Sequence, residues 1–489
     1  MSDIKATTSY EEKGYAAESH EIPLPAILAS KTEEELKAIK KSATWKMDLF
    51  IMPAMILMYI FNYLDRQNIA AAKLAGITVD LKLTPVEYQM CISFLFVGYI
   101  LMQVPSNMIA SKIARPGLYI CGAMALWGAL SAITAGVHNF AGLVVCRFML
   151  GFVESVFFPG AMFYLSTFYN KTQFATRVSI LYTGSQLGNA FGGLFAIAIF
   201  KLDGMHGIEG WKWLFIIEGV ATVGLAGAIA CFLPNKPSTM KQLTEEERAL
   251  VLHGLAREQG ASDDASEITA GRAFIMAVTD PKTWLLMGIL YCTYIAAAVV
   301  SFFPSVVGTL GYSRNITLVL TAPPYLLASI VMVINGWHSD KQQERFWHIA
   351  IPLGVAVIAN AIAISTLNTG ARYLAMMLFP TALYGSAVVT LSWIAGSLTQ
   401  PSVKRATCIA LINASCNTPN VWTPYLYKAP PRYLNAFSLN LAASALAIVF
   451  AIATRLYLQK KNAELARGDI SARGAPTQRQ LAGGFRYLL

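Results

Sequence analysis

Residues 47–72 read MDLFIMPAMILMYIFNYLDRQNIAAA, and only Asp48, Asp65 and Arg66 in that stretch are charged. A helix rises about 1.5 Å per residue, so crossing a bilayer core of about 30 Å takes roughly 20 mostly apolar residues. This stretch is long enough. Similar runs follow near 87–107, 117–136, 140–166, 177–200 and 211–233, and a second set near 282–304, 316–337, 346–367, 372–398, 405–427 and 432–458. The composition agrees: 55% of the 489 residues are hydrophobic and 13% charged, with a mean hydropathy of +0.49, whereas soluble domains carry about 25% charged residues. The expected fold is an all-α polytopic membrane protein with 12 transmembrane helices in two six-helix halves.

The polar segments divide the chain into a tail (1–46), a first bundle (47–233), a central loop (234–281), a second bundle (282–458) and a closing tail (459–489). Lys31 to Lys41 reads as an amphipathic surface helix. The loop holds Thr244-Glu-Glu-Glu-Arg248 and Asp263-Asp264, too polar for lipid. No cleavable signal peptide is visible, because the first apolar run follows a long polar tail and is of full spanning length. An even number of spans puts both tails on one side. Lys31, Lys37, Lys40, Lys41 and Lys46, the loop's Lys236, Lys241, Arg272 and Lys282, and Lys460 and Lys461 place that side in the cytoplasm. The expected location is the plasma membrane. Ser111-Lys112-x-x-Arg115 and Ser339-Asp340-Lys341-x-x-x-Arg345, each after the second helix of its half, mark an internal repeat of a kind transporters use.

The net charge of +10 lies mostly in tails and loops, the distribution of a membrane protein rather than of a nucleic-acid partner. All seven cysteines (Cys91, Cys121, Cys146, Cys231, Cys292, Cys408 and Cys416) fall in apolar runs, so neither disulfides nor a metal site is expected. His138, His206, His253, His338 and His348 lie at loops or span ends, and His20 in the tail. No nucleophile motif or phosphate-cradling loop points to an enzyme. Asn315-Ile-Thr317 falls in an expected external loop as a glycosylation candidate.

Ionisable groups inside a bilayer cost roughly 2.5–3.5 kcal/mol each on insertion scales and mark function. The second half has none in its span interiors, whereas the first has Asp65 and Arg66 on helix one, Arg147 and Glu154 on helix four and Glu218 on helix six. Counting along the helices puts Asp65 and Arg147 near one level, with Glu154 about 10 Å deeper on the same face as Arg147. A permanently charged guanidinium can grip an anionic carboxylate with paired hydrogen bonds, while Asp65 and Glu154 carry protons. The competing reading is a fixed interhelical ion pair between Arg147 and Asp65 or Glu154.

Asn62-Tyr63-Leu64-Asp65-Arg66-Gln67-Asn68-Ile69 resembles the first-helix signature of the anion:cation symporter family of the major facilitator superfamily, in particular its fungal allantoate, nicotinate, pantothenate and biotin permease branch. Arg147-Phe-Met-Leu-Gly151-Phe-Val-Glu154-Ser-Val-Phe-Phe-Pro159-Gly160 is similar to the family's fourth helix, and Trp211-Lys212-Trp213-Leu-Phe-Ile-Ile-Glu218-Gly219 to the start of its sixth. Tyr99-x-x-x-Gln103-Val-Pro105-Ser-Asn107 and Gly184-Ser-Gln186-Leu-Gly188 extend the resemblance, which covers roughly 45–458. It implies a major facilitator fold, Asp65 and Glu154 as the protonatable pair, and Arg66 and Arg147 as attractors of the substrate carboxylate. It also implies that Tyr63, Tyr99 and Gln186 line the cavity and that Trp393 and Asn417 contact the substrate body. Ordinary helix packing is the alternative for these five. Gly396-Ser397 and Thr418-Pro419 depart from the Asn pair and Gly-Gly of many fungal members, where substrate identity would be read.

The expected function is proton-coupled symport of a small organic carboxylate by alternating access. It needs protons but no cofactor, its partners are the anion and the lipid bilayer, and a monomer suffices. A proton-driven exporter is the nearest rival, since Gly188-Asn189-x-x-Gly192-Gly193 matches an antiporter glycine motif except for the missing proline. Such glycines also serve close helix packing. A non-transporting sensor with the same fold stays open, whereas a channel would need polarity in both halves.

Overall fold

The computed structural model describes residues 24–110, 113, 115–260, 270–398, 402–428, 430–467 and 486–489. Ser111 and Lys112 of the first repeat and Asp263-Asp264 of the loop lie outside the described residues. Helix α1 spans Glu33–Leu74, 42 residues or ~63 Å. It starts at a capping box: the Glu35 amide donates to the Thr32 hydroxyl at 3.3 Å and the Thr32 amide to the Glu35 carboxylate at 2.8 Å. The expected surface helix and first span are thus one element. Ser42-Ala-Thr-Trp-Lys46, between them, contains neither Gly nor Pro to stop it.

The first half continues with α2 (Pro85–Ala110), α3 (Pro116–Thr134), α4 (Phe140–Glu154), α5 (Phe157–Phe168), α6 (Lys171–Ile199) and α7 (Gly210–Phe232). The central loop carries α8 (Glu245–Gly260) and α9 (Ala270–Val278). The second half comprises α10 (Pro281–Ala297), α11 (Phe303–Gly308), α12 (Arg314–Gln342), α13 (Phe346–Ser365), α14 (Thr369–Ser397), α15 (Ser402–Asn417) and α16 (Leu434–Ala466).

Three expected spans are therefore interrupted. α4 and α5 share the fourth, α10 and α11 the seventh, and α15 gives way at Thr418-Pro419 to a short helical turn, Pro419–Trp422. Proline has no amide hydrogen to continue the helix. Among the described residues, ten spans are long and apolar enough to cross a membrane. α6 and the interrupted α15 stand where the remaining two apolar runs were read.

Within the first half, α3 packs on α7, α2 on α4 and α1 on α6; within the second, α13 packs on α14 and α16, and α10 on α16. Between halves, α6 lies along α12. A Cβ at Gly193 of α6 would come within 2.7 Å of the Leu318 carbonyl and the Thr321 hydroxyl of α12, and one at Gly188 within 2.8 Å of the Tyr63 Cβ. The glycine motif thus serves close packing. At the same end of the bundle, opposite the chain tails, the Gln89 side chain donates to the Tyr427 carbonyl at 3.4 Å. Gly193→Val is expected to lower the melting temperature of the purified protein, because its side chain would press on the Leu318 backbone carbonyl of α12, which cannot rotate aside. A melting temperature equal to wild type would show that α6 and α12 pack more loosely than this contact implies.

The central loop is tied to α1. Lys31 and Lys46 pair with Glu246 and Glu247 of α8 at 3.1 and 2.8 Å, and the Ser42 hydroxyl donates to Glu247 at 2.6 Å. Burial works against the Glu247 charge, but the bonds from Lys46, Ser42 and the Thr244 amide hold its carboxyl below the ordinary value. Past α16 the chain returns: Asn462 and Tyr487 exchange hydrogen bonds at 2.8 and 2.9 Å, and the Arg345 amide donates to the Leu489 carbonyl at 2.6 Å.

Candidate functional site

The apolar faces of α1, α2, α4 and α7 close around the charged groups of the first half. On α4, Leu143, Arg147, Leu150, Gly151 and Glu154 form the buried stripe, at the spacing of one helix face. Gly151 lets this stripe approach α2, since any Cβ there would overlap the Leu95 carbonyl. Close approach delivers Arg147 and Glu154 to α1.

Arg66 donates to one oxygen of Glu154 from Nε at 3.0 Å and from Nη2 at 2.9 Å. The Glu154 side chain is 0% exposed and that of Arg66 15%, so the cation of the pair is partly accessible and its anion is sealed. The Arg66 guanidinium lies over the rings of Tyr99 (5.0 Å), Tyr63 (5.4 Å) and Phe96 (5.8 Å), which adds cation–π attraction. Arg147 comes to the same level, its Nη2 donating to the Arg66 carbonyl at 3.2 Å. Its Nε and Nη1 have no hydrogen-bond partner among the described residues.

Asp65 turns elsewhere. It is fully buried and accepts from the Ser131 hydroxyl of α3 at 2.7 Å and the Thr222 hydroxyl of α7 at 3.0 Å. The ion pair of this site is therefore Arg66 with Glu154. The pairing of Arg147 with Asp65 or Glu154, the competing reading of the sequence, is not the one formed.

Tyr63 and Tyr99 stand beside Arg66. Gln186 on α6 is fully buried, its Nε2 donating to the Ser185 hydroxyl at 3.1 Å and its Oε1 unpartnered. Across the interface Tyr384 of α14 faces Gln186 and Asn189, and Tyr294 of α10 turns toward Tyr182 and Tyr63. Tyr182, Tyr294, Tyr384 and Phe96 escaped the sequence reading. Their only signal was a polar hydroxyl or a ring within an apolar run, which core packing produces equally often.

Trp393 stands apart from this group. It lies in the last turn of α14, 1% exposed, with its indole N–H donating to the Leu488 carbonyl at 2.9 Å. Asn417 closes α15 at the break, its amide donating to the Asn413 carbonyl at 2.9 Å. Asn315 is exposed in the first turn of α12 rather than in a loop, and the buried Thr317 hydroxyl donates to the Tyr312 carbonyl at 3.4 Å. α12 starts at Arg314, one residue before Asn315.

Known proteins agree with this architecture. The family profile described as Major Facilitator Superfamily matches residues 55–424, more than half of the chain. A transporter of Schizosaccharomyces pombe named only as uncharacterized is 28% identical over 437 residues, 88% of this chain and 85% of that protein. The MFS-type transporter efuF of Hormonema carpetanum is 29% identical over 422 residues, 85% of this chain and 84% of that one. Among solved structures, a bacterial homologue of the human lysosomal transporter Spinster, in an inward-facing and occupied conformation, superposes with a TM-score of 0.65 at 16% identity, covering 84% of this chain and 97% of that one. With two packed helical halves and a profile match that runs from the first span of one half into the fifth span of the other, this chain belongs to the Major Facilitator Superfamily of membrane transporters.

Proposed function

We propose that the protein is a proton-coupled symporter of a small organic anion, a carboxylate, working by alternating access between its two halves. The carrying observation is the Arg66–Glu154 pair, with its guanidinium partly accessible and its carboxylate sealed behind. A substrate carboxylate competes with Glu154 for Arg66. It wins most readily once Glu154 takes up a proton, because a neutral carboxyl holds a guanidinium far less strongly than an anion does. The anion and the proton then bind together, so the site's total charge is unchanged. That matters in a membrane, where a potential of about 100 mV opposes a lone anion by ~2.3 kcal/mol.

The unpartnered nitrogens of Arg147 add positive charge one layer behind Arg66. The resemblance of the first, fourth and sixth helices to the anion:cation symporters, fungal allantoate, nicotinate, pantothenate and biotin permeases among them, supports the same class. In this reading the protein acts as a monomer in the plasma membrane with both tails in the cytoplasm.

The test is uptake of labelled nicotinate, pantothenate, biotin, allantoate and small dicarboxylates by cells lacking their own carboxylate permeases, at about pH 5 and about pH 7.5. One anion is expected to enter faster at the lower pH, and Glu154→Gln is expected to remove that stimulation. If none enters although the protein reaches the surface, import of this panel is ruled out and efflux of an endogenous metabolite becomes the better reading.

A further inference from the structure

The first half holds a second pair of acidic groups that the Arg66 site does not use. Glu218 on α7 is 4% exposed, and neither carboxylate oxygen has a hydrogen-bond partner among the described residues. Its side chain faces Asp65 and Asn68 of α1. One turn further along α7, the Thr222 hydroxyl lies 3.0 Å from Asp65 Oδ2 and 2.8 Å from the Glu218 carbonyl oxygen. That hydroxyl has one hydrogen, which it donates to one of these two oxygens at a time.

Among the described residues neither carboxyl forms an ion pair: Arg66, next to Asp65 on α1, is held by Glu154, and Arg147 of α4 donates to the Arg66 carbonyl. α3, which packs on α7, has no Asp, Glu, Lys, Arg or His from Pro116 to Thr134. The charges of α6, Lys171 and Arg177, lie at its far end. Lys201 and Asp203 follow α6, and Lys212 at the start of α7 is paired with Glu209 at 2.7 Å. Asp65 is the ionisable neighbour that acts on Glu218, and Glu154 acts on Asp65. Two buried carboxyl groups with no countercharge do not both ionise. Asp65 accepts from the Ser131 hydroxyl and shares the single hydrogen of Thr222 with the Glu218 carbonyl, whereas neither oxygen of the Glu218 carboxyl has a hydrogen-bond partner among the described residues.

The pair also has an outlet. Asn68, whose Nδ2 is unpartnered, lines a cavity of about 20 Å³ between the halves together with Gln67, Asn189 and Thr321. That is room for about one water, and Asn189 offers both its amide atoms there without a partner. We propose that Glu218 is a proton-carrying residue of the transport cycle, sharing one proton with Asp65 and exchanging it with the interface between the halves through a water held by Asn68. The proton moves from Glu218 to that water as Glu218 becomes the anion, and returns by the reverse step. The inference rests on the proton-coupled reading of the preceding section but concerns a different pair of residues.

Two measurements separate the readings. Infrared difference spectra of the protein in lipid nanodiscs, recorded across a pH titration in H2O and D2O, are expected to show a buried carboxylic C=O stretch. This band should vanish in Glu218→Gln, shift in Asp65→Asn and persist in Glu154→Gln. Its survival in Glu218→Gln, or its absence from wild type, overturns the proposal whatever the transport result. With the labelled carboxylate that wild type accumulates, Glu218→Gln is expected to lose roughly tenfold of the acid stimulation while still exchanging that anion across the membrane, and Glu218→Asp is expected to restore part of it. A wild-type pH profile in Glu218→Gln also overturns the proposal. Wild-type uptake without acid stimulation would instead defeat the symport reading, and the infrared band would still decide Glu218.

Discussion

Arg66→Ala is expected to abolish anion uptake, lowering it by roughly two to three orders of magnitude, while Glu154→Gln keeps anion exchange but loses accumulation driven by a pH gradient. The asymmetry follows from the geometry. Arg66 is the partly accessible cation of the pair, so in the proposed reading its loss removes the substrate's own partner. Glu154 only competes for that cation, so neutralising it imitates the protonated state. Removing one member of a buried ion pair costs about 3–5 kcal/mol because the other charge is stranded, which corresponds to roughly two to three and a half powers of ten. The stranded Glu154 in Arg66→Ala also lowers the melting temperature. The double variant Arg66→Ala/Glu154→Gln is expected to regain that thermal stability without regaining uptake. If the double variant transports like wild type, the pair is a packing device and the substrate binds elsewhere.

Gly151→Leu is expected to be the most damaging single substitution for folding. Even one methyl group at 151 would overlap the Leu95 carbonyl of α2, and the side-chain atoms next to it would meet the same backbone. Backbone cannot rotate aside as a side chain can. Overpacking of a core usually costs about 1–3 kcal/mol and more where nothing can yield. The remedy open to the protein is to move α4 away from α2, and α4 carries Arg147 and Glu154. The expected result is little monodisperse protein after extraction, with the residual protein melting well below wild type. Gly122→Ala supplies the control, because a Cβ there meets nothing within 4 Å. A Gly151→Leu protein that melts with wild type would show that the α2–α4 contact is looser than described.

Much of this architecture was legible in the sequence because it depends on properties each segment carries by itself. Apolar length decides whether a segment can leave water for lipid. Thr32 with Glu35, and Thr244 with Glu247, mark helix starts through bonds made within one turn. The cost of a buried charge singled out Asp65, Arg66, Arg147, Glu154 and Glu218 before any neighbour was known. Counting residues along two helices even set Arg147 at the level it occupies, against the Arg66 carbonyl. Where the spans break was less legible. Pro419 stops α15, yet Pro53 and Pro105 lie inside continuous helices, because packed neighbours re-satisfy a backbone group that proline leaves free.

The sequence by itself determined that this chain crosses a membrane many times and which few charges its first half buries. The tertiary structure decided which of those charges meet. Asp65 and Arg66 are adjacent in the chain, yet consecutive side chains leave a helix about 100° apart. One therefore faces Ser131 and Thr222 on α3 and α7, and the other Glu154 on α4 and the rings of α2. Trp393, read from the resemblance as a contact to the substrate body, donates its indole N–H to the Leu488 carbonyl, a partner that its own helix does not reveal. A helix's own sequence fixes the angle between its side chains, but only the packing of several helices fixes what each angle points at.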